Sequence, residues 1–266
     1  AFVTTPQQQP PEPETAVRFA TLDLGNVPPH IASKIEPGDS MRPTQISKLA
    51  VTDLYVTGRG NNKQARLRVR LEGPLRGNVM EYNGVPPRLG RTLTIKTPTY
   101  QVSGRIVSVG SSDSSLPLKR IPVILESTVS TEVATRIEAG DNIVHGTRTV
   151  ATIDEVLRFE TNTANRLRVV TLATLLSYSS NGVAKYGATP LKLGRSIQLS
   201  TETYQFSGTV SRIGAIRQLP TDRIDVLLRL STPKDKFRKI SVGDNYTIMG
   251  HQVATIRSID AYGTGN

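Results

Sequence analysis

The chain repeats itself about every hundred residues, and a period of that length leaves room for one small domain per copy. Three segments superpose: Pro28 to Asp39 (PPHIASKIEPGD), Ser130 to Asp141 (STEVATRIEAGD) and Pro233 to Asp244 (PKDKFRKISVGD). Their Gly-Asp pairs begin at Gly38, Gly140 and Gly243, steps of 102 and 103 residues. A second motif keeps nearly the same step. Leu89 to Gly110 (LGRTLTIKTPTYQVSGRIVSVG) matches Leu193 to Gly214 (LGRSIQLSTETYQFSGTVSRIG), pairing Tyr100 with Tyr204 and Gly104 with Gly208. Two separate motifs on one period point to duplication. The chain is therefore divided into an extended Pro/Gln-rich tail (1–15), a first module (16–118), a second (119–220) and a partial third (221–266).

Each copy reads as a succession of short strands. The first strand alternates apolar positions: Val17 and Phe19, Val123 and Leu125, then Val226, Leu228 and Leu230 in the third copy. A short helical turn follows, with Ile31 and Ile35, or Val133 and Ile137, four apart on one face, and the glycine of Gly-Asp is expected to end it. In the third copy Lys236 and Ile240 make that face weaker. Leu67, Val69 and Leu71 then face one way and Arg66, Arg68 and Arg70 the other, with Leu167, Arg168 and Val169 at the matching places. Thr92 to Val109 and Ser196 to Ile213 close the modules, each as a hairpin bent at the glycine of Tyr-x-x-x-Gly. The expected fold class is all-β: two tandem small barrels or sandwiches and a partial third, with short helical turns. The third copy repeats the strand Val150 to Phe159 as Val253 to Tyr262 and carries neither an Arg-rich strand nor a Tyr-Gly hairpin after it, so its sheet edges are expected to be open.

Composition removes several chemistries. The absence of cysteine excludes disulfides, thiolate metal sites and cysteine nucleophiles. No apolar run approaches the roughly 20 residues of a membrane helix. His30, His145 and His251 each stand without a second ligand two or four residues away, and Asp39, Asp141 and Asp244 lack the acidic neighbours of a calcium loop, so a helix-capping or turn role is expected for the aspartates and no metal or cofactor for the chain. No phosphate loop, nucleophile elbow or zinc-protease motif is present, and no enzyme activity is expected. The charge is informative in another way. Against 22 Asp and Glu stand 33 Lys and Arg, and ten of the basic residues lie between Gly58 and Gly110. That balance suits an anionic glycan or nucleic acid, with Arg66, Arg68, Arg70, Arg91 and Lys96 as candidate contacts, although the region is poor in the aromatics that stack on bases. Asn245-Tyr246-Thr247 fits a glycosylation acceptor.

The succession V-x-x-x-[IV]-A-x-x-I-x-x-G-D, then L-G-[RK]-x-[IL]-x-[IL]-x-T-x-x-Y-x-x-[SE]-G-x-[IV], resembles an uncharacterised exported β-domain family of bacteria and haloarchaea. The resemblance covers Val17 to Gly214 as two copies and Val226 to Tyr262 as a partial third. It implies tandem β-modules behind a single N-terminal membrane helix, at the cell surface or outside the cell, and brings no catalytic residues. An opening at Ala1 without methionine fits a removed leader or an anchor upstream of it. Exported haloarchaeal proteins are strongly acidic, and the basic balance departs from that pattern. The expected function is an exported structural subunit that forms a homopolymer at the surface as filament, tube or sheet. The N-terminal tail, through Phe2 and Val3, would complement the incomplete third module at Val226, Leu228 and Leu230. The alternative expectation is a membrane-tethered module that binds an anionic envelope component or nucleic acid.

Overall fold

The computed structural model describes residues 14–262 apart from 61, 181, 223 and 249. It is all-β, with two curled antiparallel half-barrel sheets, a small two-stranded sheet and three short helical turns.

The first sheet is built from β1 (Thr15–Val27), β2 (Ser40–Met41), β3 (Lys48–Arg59), β4 (Asn62–Arg76), β5 (Val79–Met80), β6 (Thr92–Lys96) and β7 (Gln101–Gly110), with α1 (Pro29–Ala32) after β1. Its order is β2-β3-β4-β1-β7-β6, with β5 on the end of β4. The second sheet repeats that order. It contains β8 (Leu118–Ser130), β9 (Asn142–His145), β10 (Arg148–Glu160), β11 (Arg166–Ser180), β12 (Val183–Tyr186), β13 (Thr189–Pro190), β14 (Ser196–Ser200) and β15 (Gln205–Ile213), with α2 (Thr131–Arg136) after β8. β8 lies between β11 and β15, as β1 lies between β4 and β7. The third copy supplies α3 (Lys234–Phe237) and the pair β16 (Asn245–Ile248) and β17 (His251–Thr255).

Side-chain alternation explains the strands. In β6 and β7 buried and exposed residues alternate strictly over TLTIK and QVSGRIV, and in β4 Leu67, Val69 and Leu71 are fully buried. With Leu22, Leu49, Ile95 and Ile106 they form the core of the first half-barrel. Slips of register between Asp23 and Gly25, between Val51 and Asp53, and between Val210 and Arg212 mark bulges, which bend strands and so help each sheet curl.

Backbone contacts divide the chain into two compact units. The first holds the chain up to Arg120 with Ile143–Ala151 and Leu175–Leu191; the second holds Ile121–Asn142, Thr152–Thr174 and the chain from Lys192 onward. In the first unit Arg148 Nη2 reaches Asp53 Oδ1 at 2.7 Å, Leu116 N donates to Asp53 Oδ2 at 3.0 Å, and Tyr55 donates to Leu176 O at 2.7 Å. Segments from the second sequence copy thus help to bury the first copy's polar groups.

Four expectations are corrected. Gly104 does not bend its hairpin: the turn spans Thr97–Tyr100, and Gly104 sits inside β7, where a Cβ would fall 3.1 Å from Leu22 Cβ. Nor does Gly38 end α1, whose C-cap is Ser33; Gly38 belongs to a later turn. In the third copy residues 224–233 form no strand although Val226, Leu228 and Leu230 alternate as β1 and β8 do. β17 stops at Thr255 and does not run on toward Tyr262. The reason is shared by the last two. A strand persists through its ladder, and strands corresponding to β11 and β15 do not occur among the described residues after β17.

Candidate functional site

Each copy closes the loop after its helical turn with the same backbone clasp. Gly38 N donates to Val51 O and Val51 N to Asp39 O, both at 2.8 Å; Gly140 with Ile153 repeats this at 2.7 and 2.8 Å, and Gly243 with Ile256 at 2.8 and 2.9 Å. The glycines have φ of +102°, +95° and +95°, where a side chain would be strained, which accounts for glycine at all three places. The aspartate that follows turns its carboxylate back on the loop. Its Oδ2 accepts the backbone N–H of Glu36, Glu138 or Ser241 at 2.9, 2.9 and 2.8 Å.

In the first two copies a tyrosine completes the clasp. Tyr100 donates its hydroxyl to Asp39 Oδ2 at 2.5 Å, and Tyr204 donates to Asp141 Oδ2. Each tyrosine ends a tight Thr-x-Thr-Tyr turn: its backbone N–H donates to Thr97 or Thr201 Oγ1 at 3.1 and 3.2 Å, as does that of the intervening Thr99 or Thr203 at 3.3 Å. Burial first, and then the carboxylate, push both phenols above the ordinary tyrosine range, so they stay protonated donors. The two repeated motifs of the sequence therefore meet in space. Asp244 is set in the same loop with the same backbone bonds, is exposed, and accepts no tyrosine hydroxyl among the described residues.

The adjacent segment is equally unsatisfied. Residues 120–141 and 223–244 align without a gap, which places Val226, Leu227 and Leu228 on Val123, Ile124 and Leu125. In β8 those three are 0, 4 and 0 % exposed; in the third copy they are 71, 96 and 74 % exposed. The difference follows from pairing: Val123, Ile124 and Leu125 lie opposite Ile213, Arg212 and Val210 of β15. Ile224 and Leu230 extend the apolar run, and from residue 220 to 262 no described residue is buried. Burying each such side chain is worth roughly 1.5–3 kcal/mol, which makes a contiguous exposed run of them the first candidate for an association surface.

The other candidates are placed differently. Arg66, Arg68 and Arg70 do occupy the face opposite Leu67, Val69 and Leu71, but the first two are already engaged. Arg66 pairs with Asp23 at 2.9 Å, its side chain is 13 % exposed, and its guanidinium lies 4.0 Å from the centroid of the Tyr178 ring. Arg68 is buried, donating to Thr21 Oγ1 at 3.2 Å and Ser112 O at 3.0 Å. Arg70 pairs with Glu72 at 2.8 Å, Arg91 is half-buried, and Lys96 is exposed at the end of β6. Asn245 is exposed on β16, and its Oδ1 accepts from Thr255 Oγ1 at 2.8 Å, as Asn142 does from Thr152. Phe2 and Val3 lie outside the described residues. Among the described residues no helix is long and apolar enough to cross a membrane.

Sequence reasoning singled out the Gly-Asp and Tyr-Gly motifs without joining them. Their shared period was the signal, because two elements copied together and kept in step are candidates for mutual contact. No family model, curated protein or solved structure matches the chain.

Proposed function

We propose that the chain is a non-enzymatic structural subunit whose copies assemble by strand complementation at the third module. The carrying observation is the contrast between Val123, Ile124 and Leu125, which are buried in β8, and Val226, Leu227 and Leu228, which repeat them in an exposed segment without ladder partners among the described residues. An extended apolar segment of that pattern gains a ladder and a buried face when a strand from another chain lies beside it. The proposed donor is the tail of a second copy, shortened from residues 1–15 to 1–13 because Thr15 pairs with Pro74 in β1 and Glu14 O accepts from Leu75 N, with Phe2 and Val3 as its apolar contacts. Such a head-to-tail contact is heterologous and repeats without closing, so its product is a filament, tube or sheet. The assembly is proposed at the cell surface, which is what a resemblance to exported β-domains would imply. The polyanion reading has less support, since Arg66 and Arg68 are committed to partners within the first unit.

Sedimentation velocity and negative-stain microscopy of the purified 266-residue chain test the proposal. Concentration-dependent polymers are expected, abolished by Val226→Lys with Leu228→Lys and by removal of residues 1–13, which leaves β1 and the Leu75 N to Glu14 O bond intact. Polymers that survive the two lysines, or a wild-type chain that stays monomeric with the amides of 224–230 protected from hydrogen exchange, would overturn it.

A further inference from the structure

The strand corresponding to 224–230 has two flanks, because β8 pairs with β11 on one side and β15 on the other. The β15 side arrives with a marker. β14 and β15 form a hairpin whose turn ends in Tyr204, and the same hairpin places Val210 beside Leu125 and the Tyr204 hydroxyl on Asp141. The first copy does the same with β6, β7, Tyr100 and Asp39. In the third copy the receiving half is fully formed: Asp244 Oδ2 is held by Ser241 N at 2.8 Å, in the pose that Glu138 N gives Asp141 at 2.9 Å. A carboxylate pre-set in this way accepts a charge-assisted hydrogen bond without reorganising. The tail 1–13 contains no tyrosine and cannot supply the donor.

We propose that the third copy takes, on its β15-like flank, an antiparallel β-hairpin built like β14 and β15, whose turn ends in a tyrosine, and that this tyrosine donates its hydroxyl to Asp244. The inference rests on the strand-complementation reading and adds the chemistry of the partner: a Thr-x-Thr-Tyr turn followed by a strand with alternating apolar residues. The tail then has the opposite flank, the one β11 fills in the second copy.

The probe is a fluorescein-labelled peptide with the sequence of residues 193–214, titrated with the full chain and read by anisotropy. The wild-type peptide is expected to bind, and Val226→Lys with Leu228→Lys in the chain to abolish binding. Tyr204→Phe in the peptide and Asp244→Asn in the chain should each weaken it about tenfold, and the two together no further than either alone. A peptide that does not bind, or whose affinity is indifferent to both substitutions, overturns the proposal. The two readings fail separately. Wild-type chains that polymerise while the peptide stays unbound remove the tyrosine hairpin and leave assembly standing; chains that remain monomeric yet bind the peptide with the expected coupling do the reverse.

Discussion

At the scale of single residues, His145 is a half-buried imidazole whose titration is shifted from near-neutral toward acidic pH. Its Nδ1 lies 3.4 Å from Lys63 Nζ, while Lys63 donates to Gly58 O at 3.1 Å. Burial, and then the Lys63 charge, hold the imidazole pKa down to about 4 from its ordinary 6.5. Above pH 6.5 the ring is neutral whether the chain is folded or not. Between about pH 6.5 and 4 the unfolded chain binds a proton that the folded chain refuses, so stability falls as the pH falls and the loss is complete near the folded pKa. The ceiling is about 1.4 kcal/mol per pH unit, reduced by solvent reaching the part-exposed ring. Urea midpoints measured from pH 7 to pH 4.5 should fall for the wild type and fall less steeply for His145→Gln; equal slopes would remove His145 as the cause. A second pair of residues tests the close approach of hairpin and central strand. A Cβ on Gly208 would come 2.7 Å from Leu125 Cβ, an atom fixed to its backbone, whereas the nearest atom to a Cβ on Gly104 is the mobile Leu24 Cδ2 at 2.5 Å. Gly208→Ala should therefore cost about 1–3 kcal/mol in chemical denaturation, and Gly104→Ala less. The reverse order would show that β1 is the more rigid neighbour.

At the scale of elements, β8 and its unpaired repeat give a comparison internal to one chain. Leu125 and Leu228 are the same residue at the same place in an ungapped repeat, and only the ladder differs. Leu125→Ala should cost about 2–5 kcal/mol. Leu228→Ala, measured on dilute chains, should shift stability by no more than about 0.5 kcal/mol. A comparable loss at both positions would mean that residues 224–230 are buried in the isolated chain. The same comparison shows what was legible in the sequence. Alternation at Leu67, Val69 and Leu71 announced a strand and its buried face, and the period announced the modules. Alternation also announced a strand at Val226, Leu228 and Leu230, where none forms, because a side-chain pattern reports which face wants burial and not whether a neighbour is at hand to provide it. Strand order was not legible, since β1 pairs with β4 and β7 across intervening strands. Likewise Arg66 and Arg68 announced a basic face. Their partners Asp23 and Thr21 lie on β1, some 45 residues earlier in the sequence, so local composition carried no sign that the charges were already matched.

At the scale of the whole molecule, the net charge of +11 sets the sign of the salt dependence. Copies of one basic chain repel each other before any strand pairs, and a polymer concentrates that charge. Added salt shortens the Debye length from about 10 Å at 0.1 M to about 3 Å at 1 M and so relieves the repulsion, while the burial of an apolar run such as Ile224 to Leu230 is left intact or strengthened. Self-assembly should therefore become easier as salt rises, and the concentration at which polymers first sediment should fall between about 0.05 and 0.5 M NaCl. A complex with a nucleic acid or an acidic glycan obeys the opposite law, because its affinity comes from displaced counterions and declines as salt is added. The two readings of the basic charge are thus separated by one titration. Sedimentation that increases with salt marks the charge as an obstacle that the apolar strand overcomes, and sedimentation that vanishes with salt would assign the assembly to an acidic partner carried through purification.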